Sequence, residues 1–376
     1  MEFRELSAID EVPAAEWNAL EGTACPFLRH EFLAAVEHAS CVGPGTGWTP
    51  AHLALFDSGR LKAAAPAYRK EHSWGEFVFD FSWAQAYARH GLAYYPKLLV
   101  AAPFSPINSA RLLVSPGNAA PLRALLIGEL ERRCTEEGLS SAHATFISDE
   151  DRQAFAGRDW LLRSDVQFHW HNEGYVDFEA YLASFRSEKR KQARRERRRI
   201  AEAGITIATL GGSMLDEPTL EFAYAAHART FHAHGHEPYL NLQCFREMAR
   251  TLGDALVIKL AMLSGEPVAA AVFFAGPDAL YGRYWGAMGE FHSLHFELCY
   301  HQGIEFCIEH GLARFEPGTQ GEHKIARGFT PCHTWSAHYV ADPRFRDAIA
   351  DFLAREATQV DAYAEAVAAH VPFRRE

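Results

Sequence analysis

Six chemically capable side chains fall within twelve residues near the end of the sequence: Glu316, Gln320, Glu322, His323, Lys324 and Arg327, in the run EPGTQGEHKIAR. Gly318 and Gly321 interrupt them. Carboxylates and an imidazole accept protons, an amide orients a polar group, and lysine and arginine hold negative charge. That set suits a centre that moves protons and binds anions. A salt-bridged surface turn would use charges too, but it has little need of this variety beside aromatic strands. Just upstream, Tyr284 and Trp285 stand in the apolar run LYGRYWGA, where they would line a substrate slot or serve as core.

The elements that must position these residues read as strand, helix, strand: an apolar strand over 279–287, a helix over 294–310 and a short strand over 313–317. The same order occurs earlier. Residues 52–70 and 258–276 both place Ser-Gly between apolar segments, followed by three alanines. Ser58-Gly59 matches Ser264-Gly265 and Ala63 to Ala65 match Ala269 to Ala271, all at an offset of 206 residues. Ser-Gly between alternating apolar segments is a hairpin signal. Each hairpin leads to a later strand (97–103; 279–287), a helix (121–137; 294–310) ending in Gly-Leu, and another strand (141–147; 313–317). Two copies of one mixed α/β domain follow, because the period is far too long for a stacked solenoid. The boundaries expected are an N-terminal domain over 1–165 and a C-terminal domain over 166–376. The first copy lacks the Glu-His-Lys-Arg set after its last strand, so catalysis is expected in the second and recognition or scaffolding in the first.

Between the copies the spacing predicts a helix over 177–203, with Asp177 as its N-cap and Gly204 at its end. Positions 188–199 hold eight basic residues and two acids. Lys189, Arg190 and Arg194 on this helix are candidates for an anionic donor, including the backbone of a tRNA.

Over the whole chain the formal charge is −11, which excludes a protein that coats nucleic acid with its entire surface. Its 376 residues favour two domains. No apolar run reaches the ~20 residues of a membrane span, and the acidic N-terminus does not read as a signal peptide. Seven widely spaced cysteines without a C-x-x-C pair fit reduced thiols, hence a cytoplasmic location. His227, His232, His234 and His236 crowd one segment, and Glu297 and His301 sit one helical turn apart. This permits a metal-dependent hydrolase as an alternative, although clusters arise easily among 20 histidines and no metal ligand set is assigned. The GPGTG at 43–47 lacks the lysine and context of a phosphate loop, and no G-x-S-x-G is present.

Several longer motifs carry a family resemblance: FHWHN at 168–172, KRKQARRERRRI, YGRYWGA, LHFELCYHQGIEF and PGTQGEHKIARGF. Over nearly its full length the chain resembles the FemAB-like branch of the GNAT N-acyltransferase superfamily, the predicted N-acyltransferases of peptidoglycan biosynthesis or recognition. The resemblance implies tandem GNAT-like domains, each a mixed central sheet flanked by helices (α/β, mixed α+β). It implies transfer of an acyl or aminoacyl group to an amine on a small-molecule or peptide acceptor. Better known Fem enzymes take the group from aminoacyl-tRNA, and ordinary GNAT enzymes take it from acyl-CoA. Either donor would be a co-substrate, with no tightly bound cofactor. The stretch 286–293 has no Q/R-x-x-G-x-G/A order, which weakens an acetyl-CoA reading. Lys324 is the position that best matches the lysine implicated near the reacting groups of Fem transferases.

Set against the demands of amine acylation, these residues take roles. Glu322 or His323 is the expected base, Glu316 the group that orients the amine, and Lys324 the partner of phosphate or oxyanion. Arg327, Gln320, Tyr284, Trp285, Lys189, Arg190 and Arg194 are the expected substrate and donor contacts. The competing reading is a non-catalytic GNAT-like protein that binds a nucleotide-linked or cell-wall precursor.

Overall fold

The computed structural model describes residues 1–319 and 321–374. The chain forms two compact units, Met1–Asp165 with His333–Ala362 and Val166–Cys332 with Tyr363–Glu376. The first break falls between Asp165 and Val166. Residues 333–362, expected in the C-terminal domain, belong instead to the first unit. The reason lies in strand pairing: residues 336 to 340 of strand Thr330–Val340 pair antiparallel with Ser141–Thr145 of that unit.

The first unit holds a four-stranded sheet in the order Glu2–Leu6, His52–Asp57, Arg60–Ala65, Leu113–Val114. Pro66, without an N–H, separates Arg60–Ala65 from Ala67–Lys70. The latter joins a second layer, running antiparallel to Lys97–Val100. Lys97–Val100 in turn runs parallel to Ser141–Thr145. Helix Ala119–Glu136 makes the crossover between this pair and buries Leu122, Leu126, Ile127 and Leu130 against the strands.

The second unit is one sheet in the order Ile205–Gly211, Leu256–Leu263, Glu266–Ala275, Ala279–Ala287, Arg314–Glu316, with Trp170 and His171 pairing to the last strand. Helix Glu217–Ala233 packs on it so closely that a Cβ on Gly286 would lie 1.8 Å from the Ala226 carbonyl oxygen.

The internal repeat is visible in detail. Both Ser-Gly turns have positive φ at both positions: 51° and 78° at Ser58 and Gly59, 53° and 86° at Ser264 and Gly265. This is the backbone a two-residue hairpin needs to match strand twist. Each hairpin also carries one β-bulge, between Leu55 and Phe56 in one and between Ala261 and Met262 in the other. The extra residues are Lys62 and Val268, again at the offset shared by the turns. A bulge at one register in both hairpins marks two copies of one architecture.

The expected single helix over 177–203 is two, Phe178–Ala183 and Ser187–Glu202. Asp177 caps the first by accepting from the Ala180 N–H at 2.6 Å. The break comes where Phe185 turns into the core against Tyr181 and Phe373, and Arg186 adopts extended backbone. Among the described residues no helix is long and apolar enough to cross a membrane. All seven cysteines are free thiols.

Candidate active site

The parallel pair Ala279–Ala287 and Arg314–Glu316 is held at only three positions: Ala279 with Arg314, Leu280 with Phe315, and Tyr281 with Glu316. Beyond Tyr281 the longer strand continues while its neighbour turns off at Pro317. On its other side the longer strand has a bulge, because Val272 faces Tyr284 while Phe273 faces Gly282, leaving Arg283 as the extra residue. The sheet therefore parts at one point, and a cleft of about 450 Å³ fills the gap. Its volume is within the range of small-molecule sites.

Three segments supply its polar lining. The bulged strand gives Arg283, Tyr284 and Trp285. The helix over Leu294 to Glu309 gives His295, Cys299 and Tyr300. That helix contains a π turn at Glu297–His301, whose wider spacing brings residues five apart onto one face. His295 and Tyr300 are accordingly neighbours, with ring centroids 5.3 Å apart. The short 3₁₀ segment Glu322–Arg327 gives His323 and Lys324. Phe329 anchors the chain after it, packed edge-on to Phe315 and Tyr300 at 5.5 Å each. Fully burying such a ring stabilises by ~1.5–3 kcal/mol.

Lys324 is buried, and its Nζ donates to the carbonyls of Gly318 at 2.7 Å and Thr319 at 3.2 Å. An ammonium has three N–H donors, so among the described residues one is left for a ligand. Burial, and then the neighbouring Arg283 guanidinium, lower its pKa to about 7, against an opposing effect of Cys299. His323 meets the Tyr300 hydroxyl at 2.7 Å from Nε2. Burial, then Lys324 and Arg327, hold its pKa below the ordinary histidine value. Gly321, at φ 107°, lies against that ring, and a Cβ there would come within 2.4 Å of it. Burial, His323, Arg327 and Lys324 push His295 down to about 4.

Other expected site residues are engaged elsewhere. Glu316 is buried, accepts from Arg314 Nε at 2.9 Å, and does not line the cleft. Glu322 is exposed, accepts from the Tyr363 hydroxyl at 3.1 Å, and lines a separate cleft with Lys189 and His370. Arg327 pairs with Glu196 at 2.9 Å and stacks over Phe296 at 3.5 Å. Glu316 is held by a neighbour on its own strand, while Glu322 and Arg327 are engaged by partners from segments that sequence order does not place beside them. Gln320 lies outside the described residues. On the basic helix, Arg194 pairs with Glu179 at 2.6 Å, Arg197 pairs with Glu297 and Glu305, and Arg190 reaches the Ala183 carbonyl at 3.5 Å. The run is thus partly neutralised by acids outside it, and none of Lys189, Arg190 and Arg194 lines the first cleft.

The histidine cluster is dispersed. His227 packs on Tyr284, His232 pairs with Glu237, and His234 bonds the Thr230 carbonyl. Among the described residues no group of three or more His, Cys, Asp and Glu is arranged to hold a metal.

Sequence reasoning missed Arg283, His295, Cys299 and Tyr300. The arginine inside an otherwise aromatic strand was the available signal for the first. The others depend on a π turn that no periodicity announces.

Solved structures share this fold. FemX superposes with a TM-score of 0.57 at 10% identity, covering 93% of this chain and 100% of that one. The C-terminal domain of a putative lysylphosphatidylglycerol synthetase from Agrobacterium fabrum gives 0.54 at 10%, covering 92% and 95%. L-PGS from Bacillus licheniformis gives 0.52 at 10%, covering 86% and 96%. No curated protein sequence is significantly similar to the chain. One family model, that of the FemAB-like proteins described as peptidoglycan biosynthesis/recognition, matches residues 8–375.

Proposed function

The chain belongs to the FemAB-like family, and from that premise we propose that it is an N-acyltransferase whose reaction centre is the cleft between Arg283, His323 and Lys324. Membership supports a transferase of the acyltransferase type with the tandem GNAT-like fold. The observation that carries the finer reading is Lys324: a buried ammonium with one uncommitted N–H, beside an imidazole, in the gap where the sheet parts.

Transfer proceeds by attack of a neutral amine on the donor carbonyl carbon. The C–N bond forms, the carbonyl oxygen becomes an oxyanion, and the bond to the donor's sulfur or oxygen then breaks. The remaining Lys324 N–H stabilises the oxyanion, a contribution largest where water is excluded. His323 takes the amine proton. With Nε2–H donated to the Tyr300 oxygen, Nδ1 keeps the lone pair that accepts it. The proton passes finally to the departing thiolate or alkoxide. A cleft lined by cations also favours the neutral, nucleophilic form of the amine. His323 is thus the base in this reading, and Glu316 and Glu322, which do not line this cleft, have no part in the step.

The donor is an acyl-CoA or an aminoacyl-tRNA, and the acceptor an amine on a small molecule or a cell-wall peptide. Exposed basic residues of Ser187–Glu202 would receive the phosphates of a tRNA donor. A parallel screen of acyl-CoAs and charged tRNAs with pooled amines, reading free CoA and deacylated tRNA, tests the proposal. Donor-dependent release that disappears in Lys324→Met supports it. Binding of precursors with no release in any combination would favour a non-catalytic recognition protein.

A further inference from the structure

Two cations converge on one turn. Lys324 Nζ is 2.7 Å from the Gly318 carbonyl oxygen. Arg283 Nη1 lies 3.9 Å from where a Cβ on Gly318 would stand. Arg283 is close enough to depress the charged form of Lys324, and burial lowers the Arg283 pKa from its ordinary value. The remaining lining is Tyr284, Trp285, His295, Cys299, Tyr300, His323, Thr319 and apolar groups, and no Asp or Glu among the described residues lines the cleft. Bringing two like charges together out of water is unfavourable unless an opposite charge joins them. A substrate whose nearest group is a free ammonium would add a third cation.

We infer that this cleft recognises a substrate carrying a carboxylate, and that Arg283 is the residue that selects it. The inference rests on the acyltransfer reading for the step that follows, and it concerns recognition alone. Arg283 is suited to the task by its placement. As the extra residue of a bulge it is turned out of the strand's alternation, and its planar fork of N–H donors matches a carboxylate in two parallel hydrogen bonds. The Tyr284 hydroxyl, to which it is hydrogen-bonded, fixes the fork from one side. Lys324 supplies field, and keeps its single uncommitted N–H for the oxyanion. The carboxylate can sit on the transferred group, as in a dicarboxylic acyl donor, or on the acceptor, as in an amino acid. Both present it a few bonds from the new amide.

Binding to the purified full-length protein, followed by calorimetry, tests this without any turnover. The probes are succinamic acid, which represents a dicarboxylic acyl group already bound as an amide, N-acetylglycine, which represents an acylated amino acid, neutral succinamide, and inorganic phosphate. One or both carboxylates should bind at least about 10-fold more tightly than succinamide. The tighter of the two identifies the side that carries the charge. Arg283→Gln should abolish the preference, and Arg283→Lys should restore part of it, because charge returns without the fork. Equal affinity for succinamide and the carboxylates would overturn the inference. So would phosphate binding more tightly than either, which would make Arg283 a donor-phosphate contact. If Arg283→Gln fails to fold, the ranking on the unaltered protein still decides. Failure here with donor release intact leaves acyl transfer standing. Carboxylate binding without donor release sinks acyl transfer and leaves recognition standing.

Discussion

Each unit brings a pair of cations together, and the two pairs are treated in opposite ways. In the first unit Lys97 donates to Glu76 at 2.8 Å, to Asp80 at 2.5 Å and to Ser73 at 3.0 Å. Its neighbour Lys70 lies 3.9 Å from Glu76 and 4.0 Å over the Trp48 ring. Despite burial, the two carboxylates keep the Lys97 pKa above its ordinary value. In the second unit Arg283 and Lys324 face a cleft with no carboxylate in its described lining. Cations with built-in partners hold a fold together. Cations that line a cleft with no acid in its described lining favour an anion in whatever binds there. The same hairpin and bulge support both arrangements, so architecture does not decide which copy performs chemistry. The placement of acids does.

The largest test of that contrast exchanges the two lysines. Lys324→Met should lower kcat/KM in the donor assay by about 10²–10³-fold. Its melting temperature should be unchanged or higher, since a buried charge with costly desolvation is removed. Lys97→Met should do the reverse. It leaves Asp80 buried without its cation and Glu76 with only Lys70 at 3.9 Å, and stability should fall by ~3–5 kcal/mol, with turnover per folded molecule unaltered. Equal loss of activity in both, or stability loss in both alone, would erase the distinction between the units.

A next effect concerns protonation. His323 must be neutral to act as base, so activity is present above its pKa, which lies below the ordinary histidine value. Lys324 must be charged to hold an oxyanion, so activity is lost as pH rises through about 7. kcat/KM should therefore be bell-shaped, with its alkaline limb near neutrality. Lys324→Arg, always charged, should shift that limb upward whatever it does to the maximum. An alkaline limb that stays in place would assign it to another group. His323→Gln should lower turnover by about 10²-fold and abolish the acid limb. Tyr300→Phe, which frees the ring without removing it, should cost about 10-fold. Donor binding should persist in both.

Much of the frame was readable in the sequence for physical reasons. Ser-Gly turns and alanine triplets announce hairpins because few residues tolerate positive φ and close packing, and their common offset exposed the duplication. Lys324 and His323 stood out because they follow a strand end, where a parting sheet leaves room. Arg283 was hidden because a bulge changes which face a strand residue takes, and alternation alone misassigns it. His295 and Tyr300 were hidden by the π turn. Glu316 and Arg327 were misread because Arg314 and Glu196 neutralise them, and no spacing rule reveals that Glu196, 131 residues from Arg327, is its partner. Composition shows which charges exist; only the fold shows which are already paired.

The smallest expected effect is the sharpest check on the direction of the cleft. Glu316 and Glu322 flank the polar run and differ in surroundings. Glu316 is buried and bonded to Arg314, with His169 3.9 Å away. Glu316→Gln should therefore destabilise by ~1–3 kcal/mol through the loss of a charge-assisted bond, with turnover per folded molecule preserved. Glu322 is exposed and receives one hydrogen bond, from Tyr363. Substitution at such a position changes stability by no more than about 0.5 kcal/mol. Because Glu322 lines the cleft of Lys189 and His370 and not that of Lys324, Glu322→Gln should alter kcat/KM by less than about 2-fold. Measured beside His323→Gln, this single oxygen-to-nitrogen change separates the two candidate bases. A 10²-fold loss in Glu322→Gln with His323→Gln nearly active would mean that the reacting amine approaches from the second cleft, and would move the reaction centre there.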